Sequence, residues 1–179
     1  DGGSFAFLYE GTSYTYRWRG CYYQMGLQPL FKIAVPNPTK AVSTATAGIG
    51  NTIKYTITDW VPSESPEYYY NNWVISDTIP SSLSWGTGDV WVTNEYGTNV
   101  TGNFTVSKAG NTLSVRSNNV TSGNFYGHYY TIHVNTRVTT GNLGNYTSGN
   151  GTILSNAASL STNRGVNNSN SVSTEIKYN

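Results

Sequence analysis

Ile53-Lys54-Tyr55-Thr56-Ile57-Thr58 places Ile53, Tyr55 and Ile57 on one side of an extended chain and Lys54, Thr56 and Thr58 on the other. That two-residue alternation marks a strand with one face toward a core and one toward water. Comparable short strands read outward from it at 73–78, 89–93, 104–108, 112–116, 129–138, 157–161 and 172–177. Gly110-Asn111 separates two of these runs and tolerates the tight backbone of a hairpin turn. Clusters such as Ser122-Gly123-Asn124 and Gly141-Asn142-Leu143-Gly144-Asn145 punctuate others. No stretch of a dozen residues carries a 3.6-residue period, and no internal repeat is visible. The expected fold is all-β, an Ig-like antiparallel β-sandwich.

Composition narrows the class. The 179 residues include 21 Asn, 24 Thr, 20 Ser, 15 Tyr and 5 Trp, while charged residues are only 11% and the formal net charge is +1. No basic block follows nucleic-acid phosphates, and no apolar run is long enough for a membrane helix. Aromatic and β-branched side chains are too abundant for a disordered chain. One cysteine, Cys21, allows neither an intrachain disulfide nor a thiolate zinc cage. A disulfide-free chain of this uncharged-polar type suits a Gram-positive cell surface, or implies some other covalent staple. We read the chain as a piece of a longer exported protein. Six Asn-x-Ser/Thr sequons are no more than this composition produces by chance.

Val35-Pro36-Asn37-Pro38-Thr39 reads as a linker or strand start. It separates a Tyr-rich N-terminal segment, residues 1–35, from the sandwich domain at 36–179. Tyr14, Tyr16, Trp18, Tyr22 and Tyr23 crowd the first segment with Arg17, Arg19 and Cys21. Too short for its own core, it is either the end of an upstream domain or a set of added strands.

Three residues stand out in the second segment: Lys40 in Pro38-Thr39-Lys40-Ala41-Val42, Asp77 in Asp77-Thr78-Ile79-Pro80, and Asn156 in Ser155-Asn156-Ala157-Ala158-Ser159-Leu160. With Gly50-Asn51-Thr52-Ile53-Lys54-Tyr55-Thr56-Ile57, Tyr126-Gly127-His128-Tyr129-Tyr130-Thr131-Ile132 and Ser169-Asn170-Ser171-Val172, they run in an order that resembles the isopeptide-forming domains of Gram-positive adhesins and pilins. Asn51 stands where that family has Asp. The resemblance spans about Pro36 to Lys177. It implies a side-chain amide bond between Lys40 and Asn156, with Asp77 as proton shuttle, in a stalk or spacer module of a cell-surface adhesin or pilin-like protein. The parent would be extracellular and anchored to the cell wall, and the partners would be neighbouring domains of the same protein. The cross-link is single-turnover self-modification, so no enzyme activity, cofactor or metal is expected.

The chemistry has its own logic. An ammonium has no lone pair, so Lys must lose a proton before it attacks a carboxamide. Burial lowers a lysine pKa and raises an aspartate pKa, favouring the neutral pair that reacts. A protonated Asp can polarise the amide and carry a proton to the departing ammonia. Lys32 and Lys54 are rival nucleophiles, Asn170 a rival acceptor, and Asp59, Asp89 and Glu67 rival acids. Lys40 would otherwise be a solvated edge charge, Asp77 a turn cap, and Asn156 one Asn among many. An alternative function is ligand binding: Tyr68, Tyr69, Tyr70 and Trp73 would offer stacking faces to a host glycan or protein. His128 and His133 lie five apart on one strand, a poor spacing for a shared metal. Cys21-Tyr22-Tyr23-Gln24 has a thioester-like spacing without matching neighbours.

Overall fold

Alternation governs which residues enter the core. The computed structural model describes residues 2–19, 28–29, 34–85, 88–139 and 151–177. The chain divides into two units, Asp1–Ala34 and Val35–Asn179. In the first unit β1 (Gly2–Tyr9), β2 (Thr12–Arg19) and β3 (Gln28–Pro29) form a three-stranded antiparallel sheet. Glu10-Gly11 makes its first turn, with both residues at positive φ. Cys21, Tyr22, Tyr23, Gln24, Lys32 and the 141–145 turn signal lie outside the described residues.

In the second unit the strands are β4 (Thr39–Val42), β5 (Thr46–Ala47), β6 (Thr52–Val61), β7 (Trp73–Thr78), β8 (Leu83–Ser84) and β9 (Val90–Asn94). They continue as β10 (Phe104–Ala109), β11 (Thr112–Ser117), β12 (His128–Val138), β13 (Thr152–Asn156), β14 (Ala158–Thr162), β15 (Gly165–Asn168) and β16 (Val172–Ile176). One sheet runs β4-β6-β12-β8, with β9 also pairing β12. The facing sheet runs β10-β11-β7-β14-β15, and a small third sheet runs β13-β16-β5. Pairing is antiparallel except between β16 and β5. The fold is an antiparallel β-sandwich. The only helical segments among the described residues are short 3₁₀ turns, and no helix there is long and apolar enough to cross a membrane.

The strand read from 53–58 extends to Thr52–Val61, because Asp59 and Val61 keep the inward alternation. Its register against β12 sets Ile57 beside Ile132 and Tyr55 beside Val134, all buried. Across the sandwich, Trp73 of β7 is fully buried. Its ring meets Phe104, Phe125 and Tyr130 with centroids 5.6, 5.7 and 6.3 Å away. Gly110, at φ +58°, holds the first central position of the two-residue β10–β11 turn. Any residue with a Cβ favours negative φ, so this position suits glycine.

Trp73 joins both sheets. Trp73→Ala should therefore cost about 3–5 kcal/mol through the cavity it leaves. Urea unfolding followed by far-UV circular dichroism would show this as a lowered midpoint.

Candidate functional site

Three inward rows of apolar residues each contain one polar intruder. On β7 the row is Trp73, Ile75, Asp77; across β13 and β14 it is Leu154, Asn156, Ala158. On β4, Lys40 lies beside Ile57 in the ladder and shares its inward face. Lys40, Asp77 and Asn156 are 4, 2 and 5% exposed. The Lys40 Nζ donates to Asp77 Oδ2, and both side chains are wholly removed from solvent. Ala158 pairs with Asp77 on β7, which brings the end of β13 to the same place. The three residues read from the sequence are thus assembled in one buried site.

Its polar groups are incompletely satisfied. Asp77 Oδ1, Asn156 Nδ2 and Tyr55 Oη are buried without a hydrogen-bond partner of ordinary geometry. The Asn156 amide is nevertheless close enough to Asp77 to favour its ionised form. The Lys40 Nζ also sits 4.6 Å from the Tyr55 ring centroid. Burial pushes Lys40 below the ordinary lysine range, outweighing the Asp77 charge and hydrogen bond that pull the other way. Burial likewise raises Asp77, against the opposing effects of Lys40 and Asn156. Both shifts favour proton transfer from ammonium to carboxylate. Tyr55 is raised to about 12 by burial and then by the Asp77 charge, so its hydroxyl stays protonated.

Asn170 has a different part from that of a rival acceptor. Its Oδ1 accepts from the Lys40 backbone N–H, and its Nδ2 donates to the Lys40 carbonyl, each at 2.8 Å. One side chain reproduces a ladder pair on the free side of β4 and fixes the backbone that carries Lys40. Sequence reasoning missed this because an exposed, polar-flanked Asn has no periodic signal.

The other rivals sit elsewhere. Lys54 and Glu67 are exposed, and Asp89 is half-buried at the start of β9. Asp59 is buried on β6, where its Oδ2 accepts from Trp73 Nε1 at 3.0 Å and its Oδ1 is unpaired. The Tyr68–Trp73 group is mainly internal. Pro66–Tyr68 form a 3₁₀ turn, Tyr69 stacks on Tyr126 at 4.1 Å, and Tyr70 and Trp73 belong to the core. Burial removes Tyr70 and Trp73 from any surface a ligand could touch and leaves Tyr68 as the exposed member. His128 pairs with Glu95, whereas His133 stacks on Trp91 and bonds Thr93. Among the described residues no three His, Cys, Asp or Glu converge to hold a metal.

No protein-family model and no curated protein matches the sequence. Solved structures do match its fold. The N-terminal domain of the Streptococcus gordonii adhesin Sgo0707 has a TM-score of 0.67 at 19% identity, covering 81% of this chain and 33% of that one. BcpA, the major pilin subunit of Bacillus cereus, has a TM-score of 0.61 at 15% identity, covering 98% of this chain and 55% of that one. SpaA, the Corynebacterium diphtheriae major pilin with a modular pilus assembly stabilised by isopeptide bonds, has a TM-score of 0.55 at 17% identity. That match covers 71% of this chain and 32% of SpaA. The fold is that of pilin and adhesin domains. The chain spans between a third and about half of the length of these structures.

Asp59 generates a pH dependence. Burial, opposed by the Trp73 hydrogen bond, raises it from 3.8 to about 7. Between those values the folded chain holds a proton that the unfolded chain has released. Stability should therefore fall as pH rises from about 4 to about 7. In urea titrations across that range, Asp59→Asn should flatten this component of the slope.

Proposed function

We propose that this chain is an extracellular stalk or spacer module of a Gram-positive adhesin or pilin-like protein, stapled by an amide bond between Lys40 and Asn156. The observation that carries the reading is the solvent-free Lys40–Asp77 pair facing a buried, unpaired asparagine amide. The similarity of fold to pilin and adhesin domains supports it. Neighbouring modules of the same surface protein are the natural partners, with anchorage to the cell wall through the parent.

The reaction follows from the site. Asp77 takes a proton from Lys40, leaving a neutral amine and a neutral carboxylic acid. The acid donates to the Asn156 carbonyl oxygen and makes Cγ more electrophilic. Lys40 Nζ attacks Cγ, a new C–N bond forms, and the bond from Cγ to Nδ2 breaks. One amine proton reaches Nδ2 through the Asp77 carboxyl, and ammonia leaves. No oxidant, metal or external nucleophile is needed. Folding supplies proximity, converting a bimolecular encounter into an internal one.

The bond would join the first strand of the sandwich to β13, closing a loop of roughly a hundred residues and, by analogy with a disulfide, adding about 4–5 kcal/mol. Its larger effect is kinetic. Strands that cannot separate past the cross-link resist force and proteolysis beyond what equilibrium stability gives.

Intact mass spectrometry tests this directly. The wild-type chain should be lighter than its calculated mass by one ammonia, and Lys40→Ala or Asp77→Ala should restore full mass. A full-mass wild type overturns the cross-link. Asn170→Ala should leave the chemistry possible but slower by about tenfold, since a loosened backbone misplaces Nζ. The fraction of lighter species in freshly expressed protein, followed over time, reads that rate.

A further inference from the structure

The two outward faces of the sandwich differ in kind. The face of the β10-β11-β7-β14 sheet presents mostly small side chains, among them Thr105, Ser107, Ser114, Ser76, Ser159 and Ser161, with Arg116 and Val74 in one row. The outward face of the β6-β12-β9 sheet instead carries large rings. Trp60 and Tyr129 meet at 4.6 Å, and Trp91 lies flat on His133 at 4.8 Å with an interplanar angle of 7°. Between them runs a row of threonines, Thr58, Thr131 and Thr93, opposite one another in the ladder. Solvent-facing aromatic rings are costly to leave wet, and among the described residues of these two sheets they collect on this face.

That face also contains a cavity whose origin lies in the ladder. β12 pairs β9 from Tyr130 to Val134 and pairs β8 at Arg137 and Val138. Asn135 and Thr136 fall between the two partners on that edge, and the Asn135 N–H donates to the Asp89 carbonyl at 2.8 Å. The gap is a solvent-open cavity of about 370 Å³, toward the small end of ligand sites. Thr52, Ser84, Trp85, Asp89, Asn135 and Arg137 line it. Trp85 is half-buried against the core, with the Lys108 ammonium 5.9 Å from its ring centroid.

We propose that this cavity binds one pyranose unit of a glycan, with following units passing over the Trp91–His133 stack. The lining combines an indole, which meets the apolar C–H face of a sugar ring, with planar amide, guanidinium and carboxylate groups that address paired hydroxyls. Hydroxyls at Thr52 and Ser84 complete a set that both donates and accepts, as a polyol does. Nucleic acid would need a run of cations that this face lacks. A purely apolar ligand would find a lining made mostly of polar side chains. His133 lies two residues along β12 from Asn135 on the same face, about 7 Å away, so adjoining sugar units reach the stack without a gap. These residues are separate from the Lys40 site and from the tyrosines read from the sequence.

The test is titration of the ¹⁵N-labelled chain with N-acetylglucosamine, galactose and N-acetylneuraminic acid, each to about 50 mM, which detects single-unit affinities in the millimolar range. The Asn135 side-chain amide and the Trp85 indole N–H should shift saturably with at least one sugar. Response to N-acetylneuraminic acid alone assigns a carboxylate-bearing unit to Arg137, and response to the neutral sugars assigns recognition through hydroxyls. Arg137→Ala and Asn135→Ala should each weaken binding at least tenfold, while Ser114→Ala on the opposite face should change nothing. Absence of shifts with all three sugars, or shifts that persist unchanged in both cavity variants, overturns the proposal. The mass of the same sample reports the cross-link independently, so the two readings fail separately.

Discussion

Desolvation of one charge pair constrains the rest of this molecule. Placing Lys40 and Asp77 where solvent cannot reach either side chain sets an electrostatic cost that an ordinary surface pair avoids. A β-sandwich tolerates that only where the surroundings are closely packed and the partner is fixed. The packing comes from Ile57, Trp73, Ile75 and Leu113, all fully buried around the two strands that bear the pair. The fixing comes from Asn170, which ties the Lys40 backbone on its open side. Remove the burial and both groups return to their charged forms, with no nucleophile and no acid.

The same constraint gives meaning to the unpaired atoms. Buried polar groups in folded proteins are nearly always hydrogen-bonded. Here Asp77 Oδ1, Asn156 Nδ2 and Tyr55 Oη are not, and all three lie around Lys40. A site that served stability alone would have used apolar residues of similar volume, which are often neutral or better in such positions. Polar atoms held together at a cost are better explained by chemistry that consumes them. In the proposed reaction the asparagine loses Nδ2, the orphan donor, and the charge pair disappears. The product would be a neutral amide.

Much of the fold was legible because alternation is a local signal. The runs at 73–78 and 112–116 coincide with β7 and β11 to within a residue, since their inward residues are mostly apolar, Asp77 apart, and their outward ones mostly Ser, Thr or Arg. The short strands β5, β8 and β15 were not legible: two to four residues give no period, and only pairing partners define them. Lys40, Asp77 and Asn156 stand out through the resemblance of their flanking motifs to isopeptide-forming domains, and the apolar rows that hold Asp77 and Asn156 carry their own signal of burial. The tyrosine run misled in part. Three consecutive Tyr must expose at least one, and Tyr68, ending the 3₁₀ turn that Pro66 starts, is that one, while Tyr69 packs on the core and Tyr70 and Trp73 lie within it. The Trp85–Arg137 cavity had no sequence signature, because it arises where β12 changes partners.

The scarcity of charge links the two sites. With 11% charged residues, most of the surface is hydroxyl and amide, which neither repels nor strongly attracts other macromolecules. Such a surface suits a module stacked among others of its kind. Against that background Arg137 and Asp89, at the mouth of a cavity walled by Trp85, concentrate directional polar groups on one face. A spacer of the kind proposed would need only the proposed Lys40–Asn156 bond; load bearing does not call for Trp91 on His133 or for an open pocket at the β8–β9 junction. A polar-lined cavity walled by an indole, beside the ring-bearing outward face of β6-β12-β9, is the physical reason to assign it a ligand rather than to treat it as slack in the fold.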